Sequence, residues 1–453
     1  MDLHACLSDP RRYRRELERL HAKHLRTHRL YELRQSEVPL ASFVLNRARL
    51  SRLIAGSVAG GQYEIEPAQI RTIVANGKQR TVFAFRLSDL LIHGVVAGII
   101  EEVLAPRLSS SLYSYRKAQS WWTATAALAS YFRKHRRENK TRSRGLYVLR
   151  RDIDSYTDSI PVGDSSPVWR MLRGLFEAPG SRDALQAADW RLLERVVRPE
   201  AFAESGELFT QFRGAPTGQP ISCVLFNLYL SSLDAELERI PGGFYARYCD
   251  DFVFAHPDAR VARAVDSRIR ETLAPLYLTL NESKSRDLYL TGAGRRSEEW
   301  PEAKGTTVVP FLGCLISAHG TVALSRGKRR RLLADLRHRA LRTARAAKAV
   351  HPEAAGRLVC EVINRALSPR LDFPQQRSAN LLRRVVTDRA DLRQLDYSIA
   401  RVVLEAVTGR SSPQEFRQVP YRKMREKWGL ISLCQARNEW ARGSRPSAAQ
   451  TLR

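Results

Sequence analysis

Residues 1 to about 60 place basic side chains between apolar ones at helical spacing, with Arg11, Arg12, Arg14, Arg15, Arg19, Lys23, Arg26 and Arg29 on the polar positions. A glycine-rich break runs from Ala59 to Pro67. The segment RTIVANGKQRTVFAF then predicts two short strands joined at Asn76-Gly77, a pair suited to a tight hairpin turn. LSDLLIHGVVAGIIEEVLAP returns to helical periodicity and stops at Pro106. WWTATAALASYFRKHRRENKTR predicts a helix with a basic end, and GLYVLRRDIDSYTDSIP a strand entering a polar turn. Residues 166 to 206 are expected to be helical, and GAPTGQPISCVLFNLYLSSLDAEL to be a loop entering one long apolar helix. FYARYCDDFVFAH predicts strand, turn, strand. A helix from about Ala259 to Leu276, a strand near Leu278 and the strand-like VVPFLGCLIS follow. From Arg326 onward the pattern is helical, and Leu392, Leu395, Ile399, Val402 and Ala406 share one face. The tail GSRPSAAQTLR is expected to be disordered.

This order predicts an α+β protein. Its segments are a basic helical region at 1–60, a mixed region at 61–145, a strand-bearing middle at 146–325, a helical region at 326–443 and a tail at 444–453. A chain of 453 residues can hold two or three cores. It has no run of eighteen apolar residues, and its first residues lack the apolar centre of a signal peptide, so a cytoplasmic location without membrane attachment is expected. The six cysteines form no CxxC pair and the ten histidines show no ligand spacing, which argues against zinc and against a disulfide framework. Charge changes the picture most. Lys and Arg number 75 against 47 Asp and Glu, a net of +28, which points to a polyanion such as nucleic acid. The run from Arg326 to Lys348 is the most basic and suits a track of phosphate contacts.

The candidate chemistry lies in YARYCDDFVF. Asp250 and Asp251 sit between apolar flanks that suit burial. Two buried carboxylates need protonation, hydrogen bonds or a cation, and a hard divalent ion answers that need. A second acidic cluster, Asp152, Asp154 and Asp158, follows the apolar strand at Leu146. It is not a calcium loop, because the sixth position is Thr157 and the twelfth Gly163. Asp154 and Asp158 suit turn and cap roles. If Asp152 lies beside the Asp250-Asp251 turn, the three carboxylates could share two metals about 4 Å apart.

In these motifs, taken in order, the chain resembles bacterial reverse transcriptases of the group II intron and retron lineage, and within it the defence-associated, abortive-infection-like branch. DIDSYTDSIP resembles the first palm motif and YCDD the YxDD motif. GAPTGQPIS resembles the loop-helix under template and nucleotide, LTLNESKS the basic motif that follows, and FLGCLIS the primer grip. NGKQRTVFAF and SLYSYRKAQS resemble fingers segments. The resemblance implies a right-hand polymerase with fingers at 61–145, palm at 146–325 and a helical thumb after 326. It implies two Mg²⁺ ions, replaceable by Mn²⁺, held around Asp152, Ile153, Asp250 and Asp251. Lys78, Arg80, Tyr156, Thr157, Gln219 and Lys284 would meet the nucleotide. Gly214, Pro216, Gly218, Ser222, Leu312 and Gly313, with Arg329 and Arg330 of the basic run, would meet template and primer. The implied partners are an RNA template (in the defence-associated branch a structured noncoding RNA), a DNA primer or product, and dNTPs, and the implied biology is antiviral defence. Two positions depart from the family pattern. Thr217 stands where the loop usually has glutamine, and Thr157 where an aromatic five residues after the first aspartate usually excludes the 2′-hydroxyl. The other readings are a group II intron or retron polymerase, the intron form being disfavoured by the lack of a clear maturase or zinc-bearing endonuclease tail, and a non-catalytic RNA-binding protein on the same scaffold.

Overall fold

Apolar residues face every side of the segment from Leu87 to Leu104, and the structure buries that segment as a central helix. The computed structural model describes residues 1–27, 40–75, 78–139, 144–177, 186–347, 352–367, 382 and 385–437. The chain begins with helices α1 (Leu3–Leu7), α2 (Pro10–Thr27), α3 (Leu40–Leu45) and α4 (Arg47–Ala59), as the basic amphipathic pattern predicts. Strands β1 (Ala68–Ala75) and β2 (Lys78–Ala84) pair antiparallel, Ala75 opposite Lys78. The expected turn residues Asn76-Gly77 lie outside the described residues. The central helix α5 (Leu87–Leu104) and α6 (Trp121–Glu138) follow, the latter opened by a reciprocal Ser120–Thr123 capping box. Then come β3 (Leu146–Asp152), α7 (Tyr156–Ser159), α8 (Pro167–Phe176), α9 (Ala187–Val197), β4 (Glu200–Phe202) and β5 (Leu208–Thr210). The middle of the chain continues with α10 (Pro220–Tyr229), α11 (Ser231–Glu238), β6 (Phe244–Tyr248), β7 (Asp251–His256) and α12 (Ala259–Leu273). Strands β8 (Arg286–Leu290), β9 (Lys304–Thr306), β10 (Val308–Phe311), β11 (Cys314–Ser317) and β12 (Val322–Leu324) precede helices α13 (Arg326–Ala346), α14 (Pro352–Leu367), α15 (Arg389–Thr408) and α16 (Tyr421–Glu426).

The class is α+β, as expected. The chain divides into two compact units, one of residues 1–119, 149–254 and 260–286, the other of 120–148, 255–259 and 287–453. In the first, β2-β1-β4-β5 form a sheet in that order, with β4 parallel to β1. In the second, β10-β11-β12 form an antiparallel meander. A third sheet has the order β6-β7-β3-β8-β9. Among the described residues no helix is long and apolar enough to cross a membrane. The tail from residue 444 lies outside the described residues.

Three expectations are corrected. Residues 166–206 are not helical throughout: α9 ends at Val197 and β4 follows, stabilised by pairing with β1 about 130 residues earlier and by the Gly206 turn at φ +88°. The long helix after Gln219 is two helices, broken at Leu230, whose φ and ψ are −104° and 12°. The strand expected near Leu278 is absent; Leu280 makes only a single bridge to Ile153, and the strand forms at Arg286–Leu290.

One feature of α5 makes a stability prediction. His93 is fully buried against Phe85, ring centroids 4.3 Å apart, and neither ring nitrogen has a partner among the described residues. Burial pushes its pKa down from the usual 6.5 to about 3. Between those values the unfolded chain binds a proton that the folded one refuses. The stability that neutral His93 permits is therefore complete above pH 6.5 and lost as pH falls toward 3. In urea titrations, the native protein should lose about 1.4 kcal/mol more per pH unit across that window than His93→Leu. Equal acid slopes for the two proteins would refute this role.

Candidate active site

Strand β3 ends at Asp152, and the chain there is pinned on both sides. The Ile153 N–H donates to the Asp250 carbonyl at 3.2 Å, and the Asn281 N–H to the Asp152 carbonyl at 2.8 Å. Backbone contacts thus bring the end of β3, the β6–β7 turn and the segment after α12 together. The turn requires an unusual backbone, with Cys249 at φ +61°. It is held from beneath by Arg247, a wholly buried arginine. The Arg247 guanidinium binds Asp234 of α11 through two bonds of 2.7 and 2.5 Å, and its Nη1 donates to the Cys249 carbonyl at 3.0 Å. Tyr245 Oη also donates to Asp234, at 2.8 Å. The Cys249 N–H donates to Ser114 Oγ at 3.0 Å, and Asn227 of α10 exchanges bonds with Ser114. Nothing in the sequence singles out Asp234, or Ser114 within the SLYSYRKAQS segment, as partners of this turn.

The three carboxylates share one electrostatic environment. Burial first, and then the charge of Asp152, hold the Asp250 carboxyl above its ordinary value. Burial pushes Asp251 up to about 6 against the pull of Arg150, with Asp250 and Asp152 adding to the rise. Two cations answer this. Lys284 Nζ sits 2.6 Å from Asp152 Oδ1, and that bond, with the charges of all three aspartates, raises the Lys284 pKa. Arg150 reaches Asp251 at 3.4 Å. Among the described residues no three His, Cys, Asp or Glu side chains are gathered tightly enough to ligate one ion. The donors nonetheless suit a hard divalent cation. They are carboxylate oxygens, partly buried, mutually repulsive and already drawing positive charge from the chain. Asp152, Asp250 and Asp251 are the residues that could hold one after Lys284 and Arg150 release them. Ile153, included in the expected metal set, has a buried side chain and gives its N–H to Asp250.

The glycine loop docks on the segment that follows β3, at α7 and Ile160. Gly214 adopts φ +89°, and a β-carbon there would stand 2.7 Å from Gln211 Nε2. Its N–H donates to Ile160 O, and that of Ala215 to Thr157 O. Gly218 is also left-handed, at φ +95°. The Pro216 carbonyl accepts from the Gln219 N–H and from Ser222 Oγ, which starts α10. Gln219 Nε2 donates to Phe83 O at 2.7 Å, while the Phe83 N–H donates to Thr217 O at 3.2 Å. The loop is thereby joined to β2, the strand carrying Lys78 and Arg80, whose side chains lie outside what is described. Tyr156 is buried and its hydroxyl donates to Phe226 O, whereas Thr157 is half-exposed.

The remaining candidates belong to the second unit. Leu312 and Gly313 form the β10–β11 turn with φ of +48° and +72°. Lys328 of α13 donates to the Leu312 carbonyl and lies over the Trp121 ring at 3.3 Å; burial lowers its pKa to about 8. Arg329 binds Asp391 and Gln394 of α15, while Arg330 is exposed.

A family model described as reverse transcriptase (RNA-dependent DNA polymerase) matches residues 91–316, a span that holds both acidic motifs, the glycine loop and the β10–β11 turn. Protein P of duck hepatitis B virus (strain United States/DHBV-16) is 31% identical over 80 residues, 18% of this chain and 10% of that protein. The chain thus spans a tenth of the length of this curated relative. Among solved structures, apo telomerase from Candida tropicalis aligns with a TM-score of 0.46 and 14% identity, covering 83% of this chain and 62% of that one. Telomerase from Candida albicans with a TWJ fragment of telomeric RNA aligns at 0.44 and 11%, covering 84% and 67%. The α+β fold is consistent with a right-hand polymerase.

Proposed function

We propose that the chain is an RNA-directed DNA polymerase that adds deoxynucleotides to a 3′-hydroxyl opposite an RNA template. The observation that carries this reading is the junction of β3 with the β6–β7 turn, pinned by the Ile153 N–H on the Asp250 carbonyl, where the charge of Asp152 helps hold the Asp250 and Asp251 carboxyls above their ordinary values. Two bound Mg²⁺ ions would activate the 3′-hydroxyl and stabilise the leaving pyrophosphate. The chain's own residues supply the placement. Arg247 and Asp234 fix the turn that presents Asp250 and Asp251. The Lys284 ammonium is half-exposed and can exchange Asp152 for a triphosphate oxygen. The loop from Gly214 to Ser222 supports the nascent base pair. Arg330 and the exposed basic residues of α13 follow the duplex backbone through contacts indifferent to sequence.

Primer extension on an RNA template with Mg²⁺ and dNTPs tests the proposal. The ion pairs that hold Asp152 and Asp251 favour a second reading, a non-catalytic RNA-binding protein on this scaffold. RNA binding without primer extension would select it. The resemblance to defence-associated enzymes supports antiviral defence with a structured noncoding RNA as the setting. Phage plating on hosts carrying the native gene or its Asp250→Asn form tests that setting; equal plaque counts would exclude it.

Thr157 offers a separate outcome. With a small half-exposed side chain at this position, ribonucleotides should be incorporated readily. Thr157→Phe should raise the preference for dNTPs over rNTPs by about tenfold or more, read as the ratio of the two kcat/KM values. Equal and strong discrimination in both proteins would remove Thr157 from that role.

A further inference from the structure

Arg393, Asp396, Tyr397 and Ala400 follow the i, i+3, i+4, i+7 spacing of one face of α15. That face opens into a cleft of about 540 Å³, walled opposite by Phe416, Tyr421 and Arg425 and lying within the second unit. The size suits a small planar ligand. Tyr397 is 47% exposed, yet its ring lies nearly parallel to Phe416, centroids 5.9 Å apart and planes at 25°. Arg425 bonds Gln435 through Nη2, but its buried Nε has no acceptor among the described residues. Asp396 is already compensated: its oxygens take the Ser432 hydroxyl at 2.9 Å and the Leu433 N–H at 2.7 Å. The cleft therefore offers an aromatic face and two guanidiniums, with its one carboxylate bound from behind.

The ligand that answers all of these is flat, with a π-face and oxygen acceptors beside it. We propose that this cleft binds a single unpaired base of an RNA, stacked on Tyr397, with Arg393 and Arg425 meeting its carbonyl or flanking phosphate. Such stacking on aromatic side chains and guanidinium planes is how proteins hold splayed-out bases. An aromatic side chain of a protein partner would fill the apolar wall and leave the guanidiniums without an anion. The proposal rests on RNA being the partner, as in the proposed function, but not on polymerisation.

The test uses the full chain and a single-stranded RNA of about twelve nucleotides carrying one 2-aminopurine, without metal or dNTPs. The native protein should quench the fluorophore and bind the RNA about tenfold more tightly than Tyr397→Ala, whereas Tyr397→Phe should match the native protein. Thermal melts confirm that the exposed substitution leaves the fold intact. Equal affinity and equal quenching in native protein and Tyr397→Ala would overturn the proposal, and a protein-binding cleft would give that result. Primer extension on polyadenylate separates the two readings. Extension by both proteins with no difference in RNA affinity removes the cleft alone. Loss of RNA affinity in Tyr397→Ala without extension by either keeps the cleft and removes the polymerase.

Discussion

Asp250→Asn should reduce deoxynucleotide addition on a primed RNA template by at least about a thousandfold while leaving the melting temperature unchanged or slightly higher. The two halves of this expectation share a cause. The Asp250 carboxyl is held above its ordinary value chiefly by burial and next by the Asp152 charge, so ionised Asp250 is a strain on the folded state. An asparagine of the same shape removes that strain, and with it a charged oxygen donor for the ions that the proposed reaction needs. Initial rates of extension, set beside a thermal melt of the same preparation, give both readings. Activity within tenfold of native would contradict the proposed role of the carboxylate cluster. An inactive protein that has also lost its melting transition would say nothing about chemistry, and for that reason asparagine is the substitution to use.

Asp234→Ala should destabilise the protein by about 3–5 kcal/mol. Both members of the Asp234–Arg247 pair are fully buried, so removing the carboxylate leaves a guanidinium uncompensated and the Tyr245 hydroxyl without its acceptor. Chemical denaturation measures the loss, and a change below about 1 kcal/mol would show that the pair is not the anchor described. A double variant sharpens the point. Asp234→Leu with Arg247→Met replaces the pair by apolar groups and should recover most of the stability, because two desolvated charges are removed together. It also removes the bond from Arg247 to the Cys249 carbonyl. A stable double variant with weakened primer extension would mean that the arginine positions the YCDD turn, beyond any part it has in holding the fold.

The local structure around the paired aspartates was legible because its residues advertise themselves locally. An apolar run interrupted by two aspartates can be read as strand, turn, strand, and β6 and β7 form there. What was not legible depends on distant partners. β4 has three residues, and its stability comes from β1, which no window around Glu200 contains. The apolar periodicity from Ile221 to Leu237 runs unbroken through Leu230, so the break between α10 and α11 left no compositional mark. The segments near Leu278 and Leu288 both alternate apolar and polar residues, and only the second pairs as a strand. Arg247 could be read as seeking an anion, yet nothing pointed to Asp234, one helix earlier. The Arg329–Asp391 pair likewise joins positions 62 residues apart that carry no motif.

The two bonds that cross between Phe83 and the segment Thr217–Gln219 have a mechanical result. One is donated by each side, so a tug on either element is transmitted to the other without slack. A triphosphate that drew β2 inward would carry the glycine loop with it, and a mispaired base pressing on the loop would push the strand back. Grip on the incoming nucleotide and fit of its base would then be sensed by a single moving part.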